Sequence, residues 1–370
     1  MDKKIGVIMS NKSQRMVSQD IAKGIAILLV VLLHIIEAPN IVRIICGLLF
    51  GYAMPFFLFM TGFNYKNKGL TPAQNIKKRL IQILRPFFTY TLLIAIIMSI
   101  HFVLNGEATV GECIKSYVGF LISRWGTPYI GWDLPKTLFQ RVYGPLWFIQ
   151  FLVPASVVFY LFVDKALENK KRFLITIFAL ATVSAVLVQL GVVLPWGIQD
   201  APAIAAIMIM AAWCRQDNRL FKEPSKKMWK YINCLVCIAT IGVIELTGNT
   251  AGYFPAGEIG GVYGGFEVYI TLLVALFGSY FLVNFSMLIE KTKYLSKVYS
   301  WLGRHSLLIL IIHLPLAHLV IDAFGYQQMI TEFPVAVERF SIDQIISFVV
   351  TMIIMCTIIA LFDKTKKSSK

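Results

Sequence analysis

Ten apolar stretches constrain this chain more than anything else in it, because crossing the hydrocarbon core of a bilayer takes about 20 helical residues. They lie at roughly 21–38, 44–63, 86–104, 143–163, 173–190, 200–214, 230–247, 266–285, 304–321 and 342–362, the sixth being the shortest. Hydrocarbon offers backbone N–H and C=O groups no water, so segments of this kind must satisfy them internally as α-helices. The expectation is an all-α polytopic membrane helix bundle of about ten transmembrane helices. Hydrophobic residues make up 57% of the 370, at a mean hydropathy of +0.70, which is more than a soluble core can hide. Three parts are expected: an N-terminal segment 1–20, a transmembrane domain 21–362 and a basic tail 363–370. The first stretch follows a basic N-terminus but carries His34 and Glu37 and lacks a small-residue cleavage site, so it reads as a retained helix rather than a removed signal peptide.

Basic loops stay on the cytoplasmic side of a membrane. With the residues at helix edges assigned to their nearer side, 29 of the 35 Lys and Arg fall on the side that holds the N-terminus and the C-terminus, and six on the other. Both termini are therefore expected to be cytoplasmic. The formal charge of +15 then reflects topology and contact with an anionic inner leaflet, and no base-reading motif points to nucleic acid. The same assignment places two long loops outside, 105–142 with Trp125, Tyr129 and Trp132, and 248–265 with Tyr253, Phe254 and Tyr263. Their rings serve either a sugar platform or an interfacial aromatic belt. Within the first loop, residues 112–125 have the pattern of a short helix lying on the membrane surface. No repeat of fixed period and no soluble catalytic domain is visible. The cysteines sit mostly in or beside spans as small hydrophobes, and Cys234-x-x-Cys237 has no second Cys/His pair to complete a zinc site, so no metal is expected.

Ionisable residues inside apolar helices are rare unless they line a site or pathway. Lys23 and His34 are eleven residues apart in the first stretch, three helical turns to within about 20°, so they share a face with about 16 Å between them. Among the five histidines, His101, His305 and His318 lie near helix ends and read as structural, whereas His34 and His313 lie deeper. Neutral imidazole is the form that accepts a proton, which makes His34 the candidate general base and His313 a possible partner across the bundle. Glu37, at i+3 from His34, either orients that imidazole or sits at the outer interface. Asp20 either caps the first helix or pairs with Lys23.

These fragments resemble the acyltransferase-3 family of integral membrane acyltransferases, in particular its fucose O-acetylase-like branch, over most of the chain. The first helix of that family looks like D-x-x-[R/K]-G-x-A-x-x-x-V-x-x-x-H, matched by Asp20, Lys23, Gly24, Ala26, Val30 and His34. An M-P-x-F-F-x-x-S-G-like run is matched by Met54, Pro55, Phe56, Phe57, Thr61 and Gly62. Gly144-Pro145-Leu146-Trp147-Phe148 resembles its G-P-L-W-F element, and Ser306 through His313-Leu314-Pro315 its late helix. There are departures: Lys23 stands where most members have Arg, Ala53 where a His often precedes Met-Pro, and the R-x-x-R-like pair becomes Arg79-x-x-Gln82 with Arg85 before Pro86.

The resemblance implies a transferase that moves an acyl group, most often acetyl, from cytoplasmic acyl-CoA to a hydroxyl of an extracytoplasmic carbohydrate, with acyl-CoA as donor substrate and no metal. Lys23, Arg79 and Arg85 would bind the polyanionic donor, with Lys66, Lys68, Lys77 and Lys78 either joining them or serving only as a positive-inside loop. His34 would deprotonate the acceptor hydroxyl, with Glu37 orienting it. Asp20, Trp147 and His313 would line the acyl or acceptor pocket, Trp147 being equally readable as a belt anchor. Direct transfer and an acyl-histidine relay stay open. The competing class is a multi-pass transporter or flippase of a glycan or lipid-linked precursor, in which the same Lys and His would form a substrate or proton path. Sparse cysteine pairing and heavy Lys usage suit a bacterial plasma membrane.

Overall fold

The computed structural model of this chain describes residues 17–36, 38–39, 53–122, 136–192, 194–216, 264–325, 336–337 and 342–368. The described residues form twelve α-helices: α1 Val17–Ile35, α2 Ala53–Phe63, α3 Pro72–Leu104, α4 Val110–Leu121, α5 Lys136–Tyr143, α6 Trp147–Ala166, α7 Lys170–Gln189, α8 Ala201–Gln216, α9 Glu267–Glu290, α10 Lys293–Arg304, α11 Ser306–Ala323 and α12 Ile342–Ser368. A two-residue parallel pairing, Ala38–Pro39 with Ala336–Val337, is the extended structure among them. Seven segments are long and apolar enough to cross a membrane: Pro72–Leu104, Trp147–Ala166, Lys170–Gln189, Pro195–Gln216, Glu267–Glu290, Ser306–Ala323 and Ile342–Lys364. The chain is an all-α polytopic membrane protein. Of the other three expected spans, the first is α1, the second is described only over α2, and 230–247 lies outside the described residues.

Local chemistry explains most boundaries. Thr71 starts α3 with a reciprocal capping box to Gln74 and Pro72 in the first turn, and Thr109 starts α4 the same way with Glu112. The structure corrects the expected start of the third span. Pro86 lies inside α3, which runs 33 residues, about 50 Å and longer than the roughly 30 Å hydrocarbon core. A proline removes one i to i−4 bond but leaves its flanking turns intact. The ninth expected span, 304–321, is α11, and a separate helix, α10, precedes it and ends at Arg304 with His305 between the two.

Polar contacts at the helix ends show which ends lie together. Gln19 Nε2 donates to Asn64 Oδ1 at 2.9 Å, joining the start of α1 to the end of α2. Tyr65 donates to Asp164 Oδ1 at 2.5 Å, joining that end to the last turn of α6. His305 reaches Asp363 of α12 at 3.0 Å. The helix α1 thus begins, and α12 ends, at one end of the bundle, here the Lys23 end. His101 of α3 and Asp322 of α11, 2.9 Å apart, mark the opposite end.

Two packing themes distinguish buried from lipid-facing helices. α8 is almost wholly buried, and its alanines 201, 203, 205, 206, 211 and 212 let neighbouring backbones approach closely. Gly62 of α2 meets it so tightly that a Cβ there would fall on the Met208 backbone. By contrast α3 exposes Leu92, Leu93, Ile96, Ile97 and Ile100, an apolar stripe suited to lipid tails. Against α1 pack α9, α10 and α11. The α1–α10 contact is glycine-mediated: a Cβ on Gly24 would fall on the Tyr299 carbonyl, and one on Gly303 on the Asp20 carbonyl.

Candidate functional site

The helices α1 and α11 bring the two deep histidines together. The His34 and His313 ring centroids lie 5.1 Å apart at an interplanar angle of 69°, edge to face. Each ring is oriented by its own helix. His34 Nδ1 lies 2.7 Å from the Val30 carbonyl, and His313 Nδ1 lies 3.0 and 2.9 Å from the carbonyls of Ile309 and Leu310. A carbonyl only accepts, so in each ring Nδ1 carries the proton and donates. In the neutral ring this leaves the lone pair on Nε2, the atom that can accept a proton from a substrate. His34 is half-buried, while His313 is fully buried and its Nε2 has no hydrogen-bond partner among the described residues. Pro315, two residues beyond His313, sits inside α11 and cannot donate to the carbonyl of Ile311 four residues back.

The other expected pocket residues lie at different levels of the bundle, Trp147 at the start of α6 and Asp20 fourteen residues before His34 on α1, about 21 Å along the helix. The short 3₁₀ turn Gly144–Leu146 packs against α11 and delivers Trp147 into the first turn of α6. There the ring is buried, edge-on to Phe151 at 5.1 Å and to Phe148 at 6.1 Å. Asp20 is buried beside α10, its carbonyl facing Gly303, and Lys23 is half-buried one turn further along α1. Glu37 lies outside the described residues, as do Trp125, Tyr129, Trp132, Tyr253, Phe254, Tyr263, Cys46, Cys234 and Cys237.

The cations expected at the Lys23 end divide by burial. Arg79 is half-buried, with Tyr160 of α6 beside it, and its Nε is buried with no hydrogen-bond partner among the described residues. Arg85 is exposed; six residues further along α3, it points about 120° away around the helix from Arg79. Lys66, Lys68, Lys77 and Lys78 are exposed. The structure therefore brings Arg79, but not Arg85, against the bundle.

Sequence reasoning missed several members of this end. Tyr65 stacks edge-on to Phe159 and Tyr160 at 5.4 and 6.0 Å, and its phenol pKa is pushed up by burial first and then by the bond to Asp164. Asn67 also donates to Asp164, at 3.0 Å. Arg215, at the end of α8, lies over the Phe63 ring at 5.2 Å and donates to the Phe63 carbonyl at 3.4 Å. Asp164 and Arg215 sit near the ends of apolar runs, where a charge is ordinary, and only the long-range pairing sets them apart. Among the described residues, the group of His and carboxylate side chains close enough to hold a metal ion lies elsewhere, at the far ends of α3 and α11.

A polytopic bundle with an imidazole pair between two packed helices, and with Lys23 and Arg79 half-buried toward one end, is an arrangement that can carry proton transfer in a membrane-embedded site. A family model described as an acyltransferase domain, Acyl_transf_3, matches residues 17–363. No curated protein and no solved structure matches the chain. The matched region takes in α1 through most of α12, including both histidines of the pair, and on it the chain belongs to the acyltransferase-3 family and is a membrane acyltransferase.

Proposed function

We propose that this protein moves a short acyl group, acetyl foremost, from cytoplasmic acyl-CoA to a hydroxyl of an extracytoplasmic or cell-surface carbohydrate. The observation that carries the reading is the His34–His313 pair, two imidazoles whose Nδ1 atoms are committed to their own helices and whose Nε2 atoms are left for chemistry. In this reading His34 Nε2 takes the acceptor hydroxyl's proton as the oxygen attacks the thioester carbonyl, the C–S bond then breaks and CoA leaves as its thiol with that proton, and His313 and Trp147 wall the pocket. Glu37, one turn on, orients His34. Asp20 positions the start of α1 against α10.

The donor enters at the Lys23 end. CoA is polyanionic, and Lys23 with Arg79 supplies cations there, Arg79 presenting a buried Nε that a phosphate would satisfy. Arg85, on another face of α3, reaches the donor only at its outer edge. From Lys23 to His34 is about 16 Å along the helix, a span that a pantetheine arm can bridge to bring the thioester to the imidazole. The basic bias of this end agrees with a cytoplasmic orientation against an anionic leaflet, and the organism of origin is read as bacterial, with the protein in the plasma membrane.

Mass spectrometry of surface glycans tests the reading. Cells carrying the wild-type chain should show an added acyl mass, 42 Da for acetyl, on a carbohydrate, and cells carrying His34→Ala at equal membrane levels should not. Identical glycan profiles would overturn it.

A further inference from the structure

Two histidines and two carboxylates meet where α3 and α11 end, opposite the Lys23 end. His101 Nε2 lies 2.9 Å from Asp322 Oδ2, and His318 Nε2 lies 3.1 Å from the same oxygen. With Glu107, in the turn after α3, one ligand atom from each of the four lies within 4.8 Å of every other. His318 is 2% exposed, and its buried Nε2 has no hydrogen-bond partner among the described residues although it faces that carboxylate. His101 and Asp322 are 22% and 28% exposed, so an ion has a way in. Asn105 Nδ2 also approaches His101 Nε2, at 3.3 Å.

We propose that His101, Glu107, His318 and Asp322 bind a divalent transition-metal ion, zinc foremost. Two imidazoles with carboxylates are the donors zinc takes, at about 2.0–2.2 Å, whereas magnesium and calcium prefer all-oxygen shells. Two donors about 2.1 Å from one tetrahedral ion sit about 3.4 Å apart, so the 2.9 and 3.1 Å contacts need open by only a few tenths of an ångström. Arg141 holds Glu107 Oε2 at 2.6 Å, which leaves Oε1 as the second oxygen. One arginine against two carboxylates keeps the group net negative with neutral imidazoles, so a dication is still attracted. The ion would clamp α3 to α11 one and a half turns beyond His313, at the end where the acceptor would enter. His318 and Asp322 are one turn apart on a single helix, but their partners lie more than 200 residues away in sequence.

Metal retention by the full chain, purified in detergent with a histidine-free tag and stripped with chelator, tests this without any acyl-transfer assay. After exposure to Zn²⁺ and desalting, about one ion per chain should remain, and added Zn²⁺ should raise the unfolding midpoint. His101→Gln and Asp322→Asn should each weaken retention at least about tenfold and abolish the midpoint shift. His101→Gln alters a partly exposed side chain, so the test stands even if Asp322→Asn does not fold. Wild-type retention below about a tenth of an equivalent, or undiminished retention in His101→Gln, overturns the proposal.

Discussion

The chemistry assigned here comes down to which nitrogen of an imidazole is committed. Both His34 and His313 spend Nδ1–H on carbonyls of their own helices, so neither needs an outside group to hold its tautomer. Removing a positioned base lowers rates by roughly 10²–10⁴-fold, the loss expected of His34→Ala in an acyl-transfer assay. Residues that act as a unit are strongly non-additive. His34→Ala combined with His313→Ala should therefore be scarcely slower than His34→Ala alone; rate losses that multiply would show that the rings act independently. Lys23→Arg keeps the cation and should retain most activity, whereas Lys23→Glu should raise the KM for acyl-CoA.

Helix packing makes sharper demands than helix propensity does. Gly24 and Gly303 lie where α1 and α10 touch backbone to backbone, so the glycine after Lys23 in the family-like motif has a steric reason of its own. Gly24→Ala must drive the helices apart and should cost about 1–3 kcal/mol, read as a lower unfolding midpoint in detergent. Gly111, inside α4, has only Thr109 Oγ1 nearby among the described residues, at 3.9 Å. Gly111→Ala should be neutral or stabilise by up to about 1 kcal/mol, and a midpoint lowered as far as that of Gly24→Ala would contradict the contrast. The start of α4 also carries a pH dependence. Glu112 accepts from the Thr109 backbone N–H and hydroxyl, and the backbone bond is the first cause holding its carboxyl below the usual range. A depressed carboxylate stabilises the cap above its ordinary pKa and loses that contribution as pH falls through the lowered value. Amide exchange at Glu112, which the Thr109 side chain protects, should therefore quicken at acid pH relative to the start of α3, whose capping box has the neutral Gln74.

At the scale of the whole molecule, the apolar runs made the bundle legible because length and hydropathy are local properties. What escaped notice was periodic or long-range. α10 alternates Lys, Ser and Arg with Leu, Val and Trp at helical spacing and buries Leu302 and Gly303, yet its mean hydropathy reads as a loop. The extension of α3 ahead of Pro86 was hidden because a proline usually marks a start. Lys23 and His34 are legible from their spacing on one helix, and His313 from its depth within an apolar stretch. Arg215, Tyr65 and Asp164 became visible only through partners brought from elsewhere in the chain, and so did the joining of His101 to Asp322. The shared end for the start of α1 and the end of α12 predicts that, in a cysteine-free background, single cysteines at positions 68 and 368 react alike with an impermeant thiol reagent from one side of sealed vesicles. A cysteine at position 111 should react from the other. The claim on which the rest depends is that one bundle grips the donor at its Lys23 end and does chemistry at His34, and steady-state kinetics with acyl-CoA on the purified chain tests it most directly. Arg79→Ala should raise KM for the donor with little change in kcat, and His34→Ala should collapse kcat with little change in KM; a His34→Ala enzyme that keeps its kcat would contradict the account.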